Sequence, residues 1–405
     1  MRIATLQIAA KLGDVEGNIR RADEVLANAT LKVEDPERGL KAGVSVDEAG
    51  LDILVLSEMA LTGYNFPSLD AVKPYAEPAG RGRTAVWAKE TAKRLGCIVC
   101  VGYPEIETTE SQEGGTAQQA KYYNSLLMVS PTGSVLHNYR KAFLYYTDET
   151  WASEGSAELG FQKIALGLPQ PSPASKSITE LDDQSLTIGS REIPTTFGIC
   201  MDINPYRFEA PYSAFEFAHR VLDSRSELVI VSMAWLTLLT REELDALSGR
   251  PEMDTFNYWI QRFLPLINER IGYASNPDRD LASIKEGDGK EEEENQEKRI
   301  ILVFANRAGE EDGIPLARYA GTSTIIAVSQ LPRRALSPGR SRSPSSLRKE
   351  GESSSDDDGG SKKKKTDFDV KILCWGMLGA TTEGVCFADT AGEPEMVFQL
   401  VRKAG

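Results

Sequence analysis

Three residues in this chain stand where an apolar strand pattern gives way to a loop, and their types make thiol chemistry conceivable. Glu58 follows the run LVLS in LVLSEMALTGYNF (54–66). A carboxylate at the end of a buried strand is partly desolvated, which raises its pKa and suits it to act as a base. Lys141 lies in HNYRKAFLYYTDETWASEG (137–155), between a strand pattern and the aromatic stretch 143–146. An ammonium held among aromatics can stabilise negative charge as it develops in a water-poor site. Cys200 closes FGIC in TTFGICMDINPYRFEAP (195–211), just before a turn-rich segment. There a thiol is presented at a sheet edge beside backbone N–H groups that can bind an oxyanion. Taken singly, each has a plain structural counterpart: a first solvated glutamate, a surface cation, a cysteine packed as a small hydrophobe.

Histidine content narrows the chemistry further. Only two are present, His137 and His219. A Ser-His-Asp triad or a histidine-rich metal site would have to draw on these. His137 falls in a strand pattern and His219 in a helical one, so both read as structural, and the base must lie elsewhere. Cys97 and Cys100 share one strand at a separation of three, so they face opposite sides and cannot jointly grip a metal. Cys374 and Cys386 sit in apolar runs and read as core.

The elements that must position these residues alternate between short β-branched runs and helical spacings. Strands are predicted over 2–8, 52–57, 97–103, 124–130, 134–139, 195–201, 228–234, 300–305 and 322–328. Helices are predicted over 18–29, 84–95, 210–222 and 255–268, with Pro265 kinking or ending the last. Several strands are apolar throughout, such as DILVLS and LVIVSMA, as expected when both faces are covered. This alternation favours an α/β layered sheet in one large domain carrying polar insertions. Four segments look inserted: 105–121, 167–192, the acidic 277–298 and the Ser/Arg/Asp/Lys-rich 332–369. The last two carry too little apolar surface to offset the entropy of ordering and are expected to be mobile.

The bulk numbers exclude several function classes. With 405 residues, 41% of them hydrophobic, the chain can build a sizeable core. A formal net charge of -14 argues against nucleic acid, whose phosphates demand a basic face. No apolar stretch approaches the roughly 18 residues of a membrane span, and the N-terminus reads as a strand, not a signal peptide. Five irregularly spaced cysteines fit a reducing compartment. The expectation is a cytoplasmic protein. The basic pieces Arg333–Arg334 and Lys362–Lys365 leave a nuclear presence open.

Together the three segments resemble the nitrilase superfamily of carbon–nitrogen hydrolases. The order Glu…Lys…Cys matches, as do the contexts SEMALTGY, YRKAFL and GICMDINPYRFE, with further agreement in VIVSMAW, FANRAGEE and YAGTSTI. Within the superfamily, the segments YRKAFLYYTDETWASEG and NPYRFEAP look closest to fungal protein N-terminal amidases. Those enzymes convert N-terminal Asn or Gln to Asp or Glu for the N-degron pathway.

The resemblance implies an αββα sandwich, no cofactor and no metal. It assigns Glu58 as general base, Cys200 as nucleophile, and Lys141 with the Met201 N–H as oxyanion donors. A second glutamate commonly follows the lysine. Glu154 matches that place, with Glu149 as competitor. A substrate α-amino group would need an acidic partner, for which Asp148, Glu149 and Asp202 are candidates; Asp202 is also suited to fixing the nucleophile turn. Trp235 either walls the pocket or belongs to the core. The partners implied are protein or peptide N-termini and, functionally, the N-degron machinery. Three other readings stay open: a nitrilase-type amidase or carbamoylase acting on a free small molecule, an acyl transferase, and a non-catalytic scaffold.

Overall fold

Along the strands nearest the N-terminus, consecutive apolar side chains go to different cores. Ile53 and Val55 enter one and Leu54 and Leu56 the other; Ile98 and Cys100 likewise part from Val99 and Val101. Period-two alternation with both sets apolar is the pattern of a strand covered on both faces. It also separates Cys97 from Cys100, which belong to different cores, as their spacing predicts.

The computed structural model of the chain describes residues 1–34, 41–109, 119–167, 190–271, 297–313, 315–332 and 368–399. A six-stranded sheet runs in the order Gly384–Asp389, Arg2–Gln7, Ile53–Leu56, Ile98–Thr109, Gln119–Val129, Val135–Arg140. A seven-stranded sheet runs Met396–Gln399, Phe368–Met377, Thr324–Pro332, Lys298–Ala305, Leu228–Ser232, Ser190–Ile199, Phe161–Gly167. Each has a parallel trio at its centre: Arg2–Gln7, Ile53–Leu56 and Ile98–Thr109 in the first, Ser190–Ile199, Leu228–Ser232 and Lys298–Ala305 in the second.

The two sheets face each other across one core, where Ile3, Val55 and Met128 join Phe197, Ile230 and Val303. Helices cover the outer faces. Val15–Asn28 starts at Asp14, whose side chain accepts the Gly17 N–H, and buries Ala22, Val25 and Leu26 against the first sheet. Arg83–Leu95 joins it and ends on Gly96, whose φ of 64° suits a left-handed cap. On the far side, Met253–Arg262 stacks Trp259 on Phe304 of the second sheet, with ring centroids 5.2 Å apart. The result is the αββα sandwich.

Several expected elements need correction. The segment 105–121 is no independent insertion. Its ends are the arms of one hairpin, paired from Glu105↔Tyr123 to Thr109↔Gln119, and only 110–118 lies outside the described residues. The helix expected over 210–222 begins only at Glu216, after a short turn at Tyr212–Ala214 and a left-handed Phe215. The one expected over 255–268 is broken near Pro265 as the sequence predicts, into Met253–Arg262 and Leu264–Asn268, because proline cannot continue the hydrogen-bond ladder. Of the segment 167–192, Gly167 and Ser190–Glu192 are strand ends and 168–189 lies outside the described residues, as does nearly all of 277–298 and 332–369. Among the described residues, no helix is long and apolar enough to cross a membrane.

Candidate active site

In open α/β sheets, reactive groups gather beyond the carboxyl ends of parallel strands. That is where this chain places them. Glu58 comes two residues after Ile53–Leu56, Cys200 immediately after Ser190–Ile199, and Ala234 two residues after Leu228–Ser232. The sheets are tied together here by the Ser232 hydroxyl donating to the Leu56 carbonyl at 2.9 Å, and by the Glu58 N–H donating to the Met233 carbonyl at 3.3 Å.

Glu58 is fully buried. Its Oε1 accepts from Lys141 Nζ at 2.6 Å and from Asn124 Nδ2 at 2.7 Å, and its Oε2 accepts the Ala234 N–H at 2.7 Å. The strand Ile98–Thr109 approaches so closely that a Cβ on Gly102 would stand 2.6 Å from the Met59 nitrogen, which only glycine allows. Burial pushes the Glu58 carboxyl above its usual range and Asp148 adds to this, while Lys141 and Asn124 pull it back in part.

Lys141 is also fully buried, with Nζ 2.6 Å from both Glu58 Oε1 and Asp148 Oδ2. Burial alone would lower its pKa; the two carboxylates override that and raise it. Asp148 is saturated with donors. Its Oδ1 takes Asn124 Nδ2 at 2.9 Å, and its Oδ2 takes Lys141, the Tyr145 N–H at 3.1 Å and the Tyr64 hydroxyl at 3.3 Å. Asn124 thus bridges both carboxylates. Tyr64 is held in turn by Glu311, whose Oε2 accepts the Tyr64 and Asn65 N–H groups at 2.9 Å each and which pairs with the buried Arg307.

Cys200 sits at φ 43°, a strained left-handed conformation for a non-glycine residue and one that recurs at functional turns. Its thiol is pushed well above the ordinary range by burial and by repulsion from Glu58. The Ala234 N–H lies close enough to favour the thiolate, without reversing the shift. Asp202 clamps the turn. Its Oδ2 accepts the Ile199 N–H at 2.8 Å and the Tyr139 hydroxyl at 2.9 Å; its Oδ1 accepts the Ala142 and Phe143 N–H groups at 3.1 and 2.8 Å. The cysteine turn and the lysine loop are therefore fastened to one carboxylate.

The structure brings together Glu58, Lys141, Cys200 and Asp148, with Met201 beside them. It does not bring in Glu154, expected there from its sequence context. Glu154 lies near the surface and accepts from the Tyr206 hydroxyl at 2.9 Å and from Arg207 at 3.4 Å. Glu149 is exposed. The physical reason is local: the Tyr145 N–H and the Lys141 ammonium draw the carboxylate seven residues after Lys141 inward, and the chain has turned outward by Glu154. Of the acids considered for a substrate ammonium, Asp148 and Asp202 are occupied by internal donors, and Glu149 does not line the cavity described next. Asn124, Tyr64 and Glu311 were not anticipated. Asn124 opens the strand read from the sequence at 124–130 and proves to lie buried within the longer Gln119–Val129.

Cys200 opens into a cavity of about 480 Å³. Its inner part includes Tyr64, Tyr145, Met201 and Ala234; Trp235, half-buried, forms a wall with Tyr258 at 5.6 Å between ring centroids. Two carboxylates, Glu252 and Asp254, line it, and no lysine, arginine or histidine is among the described residues that line it.

The buried Glu, Lys and Cys at the strand ends of an αββα sandwich accord with what the sequence resembles: the profile of the carbon-nitrogen hydrolase family matches residues 2–164. The chain resembles that family over these residues and is an amidohydrolase acting on a carboxamide. Among individual relatives, it is 26% identical to the protein N-terminal amidase of Saccharomyces cerevisiae, covering 80% of this chain and 85% of that protein. It is 27% identical to the protein N-terminal amidase of Schizosaccharomyces pombe, covering 82% and 92%. The crystal structure of an N-terminal amidase with an Asn-Glu-Ala peptide shares the fold over 99% of both chains, at a TM-score of 0.61 and 23% identity.

Proposed function

We propose that the protein removes the side-chain amide of N-terminal Asn or Gln from peptides and proteins, releasing ammonia and leaving Asp or Glu. The supporting observation is the charge of the cavity: the buried carboxylate of Glu252 lines it, and no cation is among the described residues that line it. Free glutamine, N-carbamoyl amino acids and 2-oxo-acid amides all bring a carboxylate, which this wall repels. A peptide N-terminus brings an ammonium instead. The two yeast relatives described above are named protein N-terminal amidases, which accords with this reading. The products would feed an N-degron pathway, which gives the cytoplasm, and the nucleus with it, as the place of action.

The mechanism follows from the charges. With the thiol neutral, the buried cluster holds one ammonium and two carboxylates. A free thiolate would add a third negative charge in a desolvated site, so ionisation must be concerted with attack. Glu58 takes the thiol proton as sulfur bonds to the amide carbon. The negative charge then moves to the carbonyl oxygen, where Lys141 and the Met201 N–H stabilise it. Collapse breaks the C–N bond, Glu58 delivers its proton to the leaving ammonia, and a thioester remains on Cys200. Glu58 then deprotonates a water, which attacks the thioester; the thiol recovers the proton and a carboxylic acid is released. Asp148 acts through Lys141, fixing its position and charge.

Ammonia release from a peptide beginning with Asn, compared with free glutamine and N-carbamoyl amino acids, tests the substrate class. Release from the peptide with little from the free acids is expected; the opposite order would overturn the reading. The pH profile tests the base. Glu58 must be ionised to accept the thiol proton, so kcat/KM should fall as pH drops through its raised pKa, with the acid limb above 4.5, the ordinary carboxylate value. Lys141, pushed upward, adds no alkaline limb near neutrality. An acid limb below 4.5 would remove Glu58 from this role.

A further inference from the structure

Glu252 is a buried acid with little to do in the fold. It is 7% exposed and precedes the helix Met253–Arg262, where an acidic side chain ordinarily turns back onto the first N–H groups; it makes no such capping bond. Its Oε1 accepts the Thr255 hydroxyl at 2.9 Å. Its buried Oε2 has no hydrogen-bond partner, although the Thr237 hydroxyl is near enough to ease the charged form. No lysine, arginine or histidine among the described residues forms an ion pair with it. Burying a carboxylate without a cation is costly, and a cationic ligand relieves that cost.

Its placement joins it to the reactive cysteine. Glu252, Thr255 and Tyr258 follow one another along one helical face, and all three line the cavity that ends on Cys200. The Tyr258 hydroxyl donates to Asn204 Oδ1 at 2.7 Å, which ties that face to the segment four residues beyond the cysteine. The Glu252 backbone is fixed as well, its N–H donating to the Thr322 hydroxyl at 2.9 Å. Asp254 also lines the cavity but is exposed, where water screens its charge.

From these observations we infer that Glu252 is the anchor for the substrate's α-ammonium group. The inference rests on the N-terminal substrate reading and deepens it. The ammonium supplies the missing counter-charge and donates to the unpartnered oxygen, so that the side-chain amide is presented to Cys200. An internal Asn or Gln has a neutral, acylated nitrogen and offers nothing to this carboxylate. Selectivity for the chain terminus therefore resides in Glu252.

The test compares an Asn-initiated peptide with its succinamoyl counterpart, the same molecule without the α-amino group, on the wild type and on Glu252→Gln. On the amino peptide, Glu252→Gln should lower kcat/KM by roughly 100-fold or more, mostly through KM, since a buried charge pair is lost. On the succinamoyl peptide the two proteins should be equal within about two-fold, and iodoacetamide should alkylate Cys200 at the same rate in both, showing an intact site. Asp254→Asn should change the amino peptide by less than about three-fold. Equal losses on both peptides, no loss on the amino peptide, or a larger loss in Asp254→Asn than in Glu252→Gln would each overturn the assignment. Absence of wild-type activity on the amino peptide would instead overturn the substrate reading itself, before any variant is compared.

Discussion

Replacing Cys200 with alanine will abolish ammonia release, by a factor on the order of 10⁵–10⁶, the scale seen when a covalent nucleophile is removed from an otherwise complete site. The fold should be unaffected, because the turn around Cys200 is held by the four hydrogen bonds to Asp202 and not by the thiol. Selective alkylation gives a second readout. Among the five free cysteines, Cys200 lines the cavity beside Glu58, the group that takes its proton, while Cys97 and Cys100 are buried in the cores on either face of the first sheet, away from that cavity. Iodoacetamide should therefore mark Cys200 first, and peptide mapping will show it. Labelling should slow in Glu58→Gln, which lacks the group that takes the thiol proton. Turnover above about 1% in the alanine variant, or faster labelling of Cys97 or Cys374, would exclude Cys200 as the nucleophile and revive the scaffold reading.

How much of this site the sequence could reveal follows from where each residue lies. Glu58 and Cys200 end strands whose apolar runs are continuous, so their positions at the carboxyl ends could be read from pattern alone. Cys97 and Cys100 were separable by strand parity for the same reason. Lys141 follows a strand directly, and its orientation is set by that strand. The acids beyond it lie in a loop of short turns, with no period to say which side chain faces inward. Asp148, Glu149 and Glu154 are thus indistinguishable by spacing, and resemblance favours Glu154, which the structure places near the surface with Tyr206 and Arg207. Glu252 was invisible for another reason: before a helix, an acid reads as an ordinary cap. Its burial and its missing partner exist only once Met253–Arg262 is packed against the second sheet. The 105–121 segment shows the converse error, polar composition hiding the arms of a hairpin whose outer face is solvated.

Asp148 and Glu154 can be told apart by one pair of substitutions. In Asp148→Asn, the amide that replaces a carboxylate oxygen must face a donor whichever way it turns. Oδ1 is met by Asn124 Nδ2, and Oδ2 by Lys141 Nζ, the Tyr145 N–H and the Tyr64 hydroxyl. The side chain therefore loses a hydrogen bond, gains a donor–donor contact, and leaves the buried Lys141 with Glu58 as its remaining ion-pair partner. Breaking a buried pair in this way costs about 3–5 kcal/mol, which should appear as a lower urea midpoint. It should also appear as a fall in kcat on the order of 10³ at temperatures where the variant is folded, since Lys141 is then displaced from the developing oxyanion. Removing Asp148 also removes a charge that raises the Glu58 pKa, so the acid limb of the residual activity should move to lower pH. A purely structural loss would leave that limb where it was. Glu154→Gln disturbs only a near-surface pairing with Tyr206 and Arg207. Its kcat/KM should stay within about two-fold of wild type, as expected for a solvent-screened contact. If Glu154→Gln proves the more damaging of the two, the second acid of the site is the one its sequence context indicated, and the donors around Asp148 serve only to hold the loop.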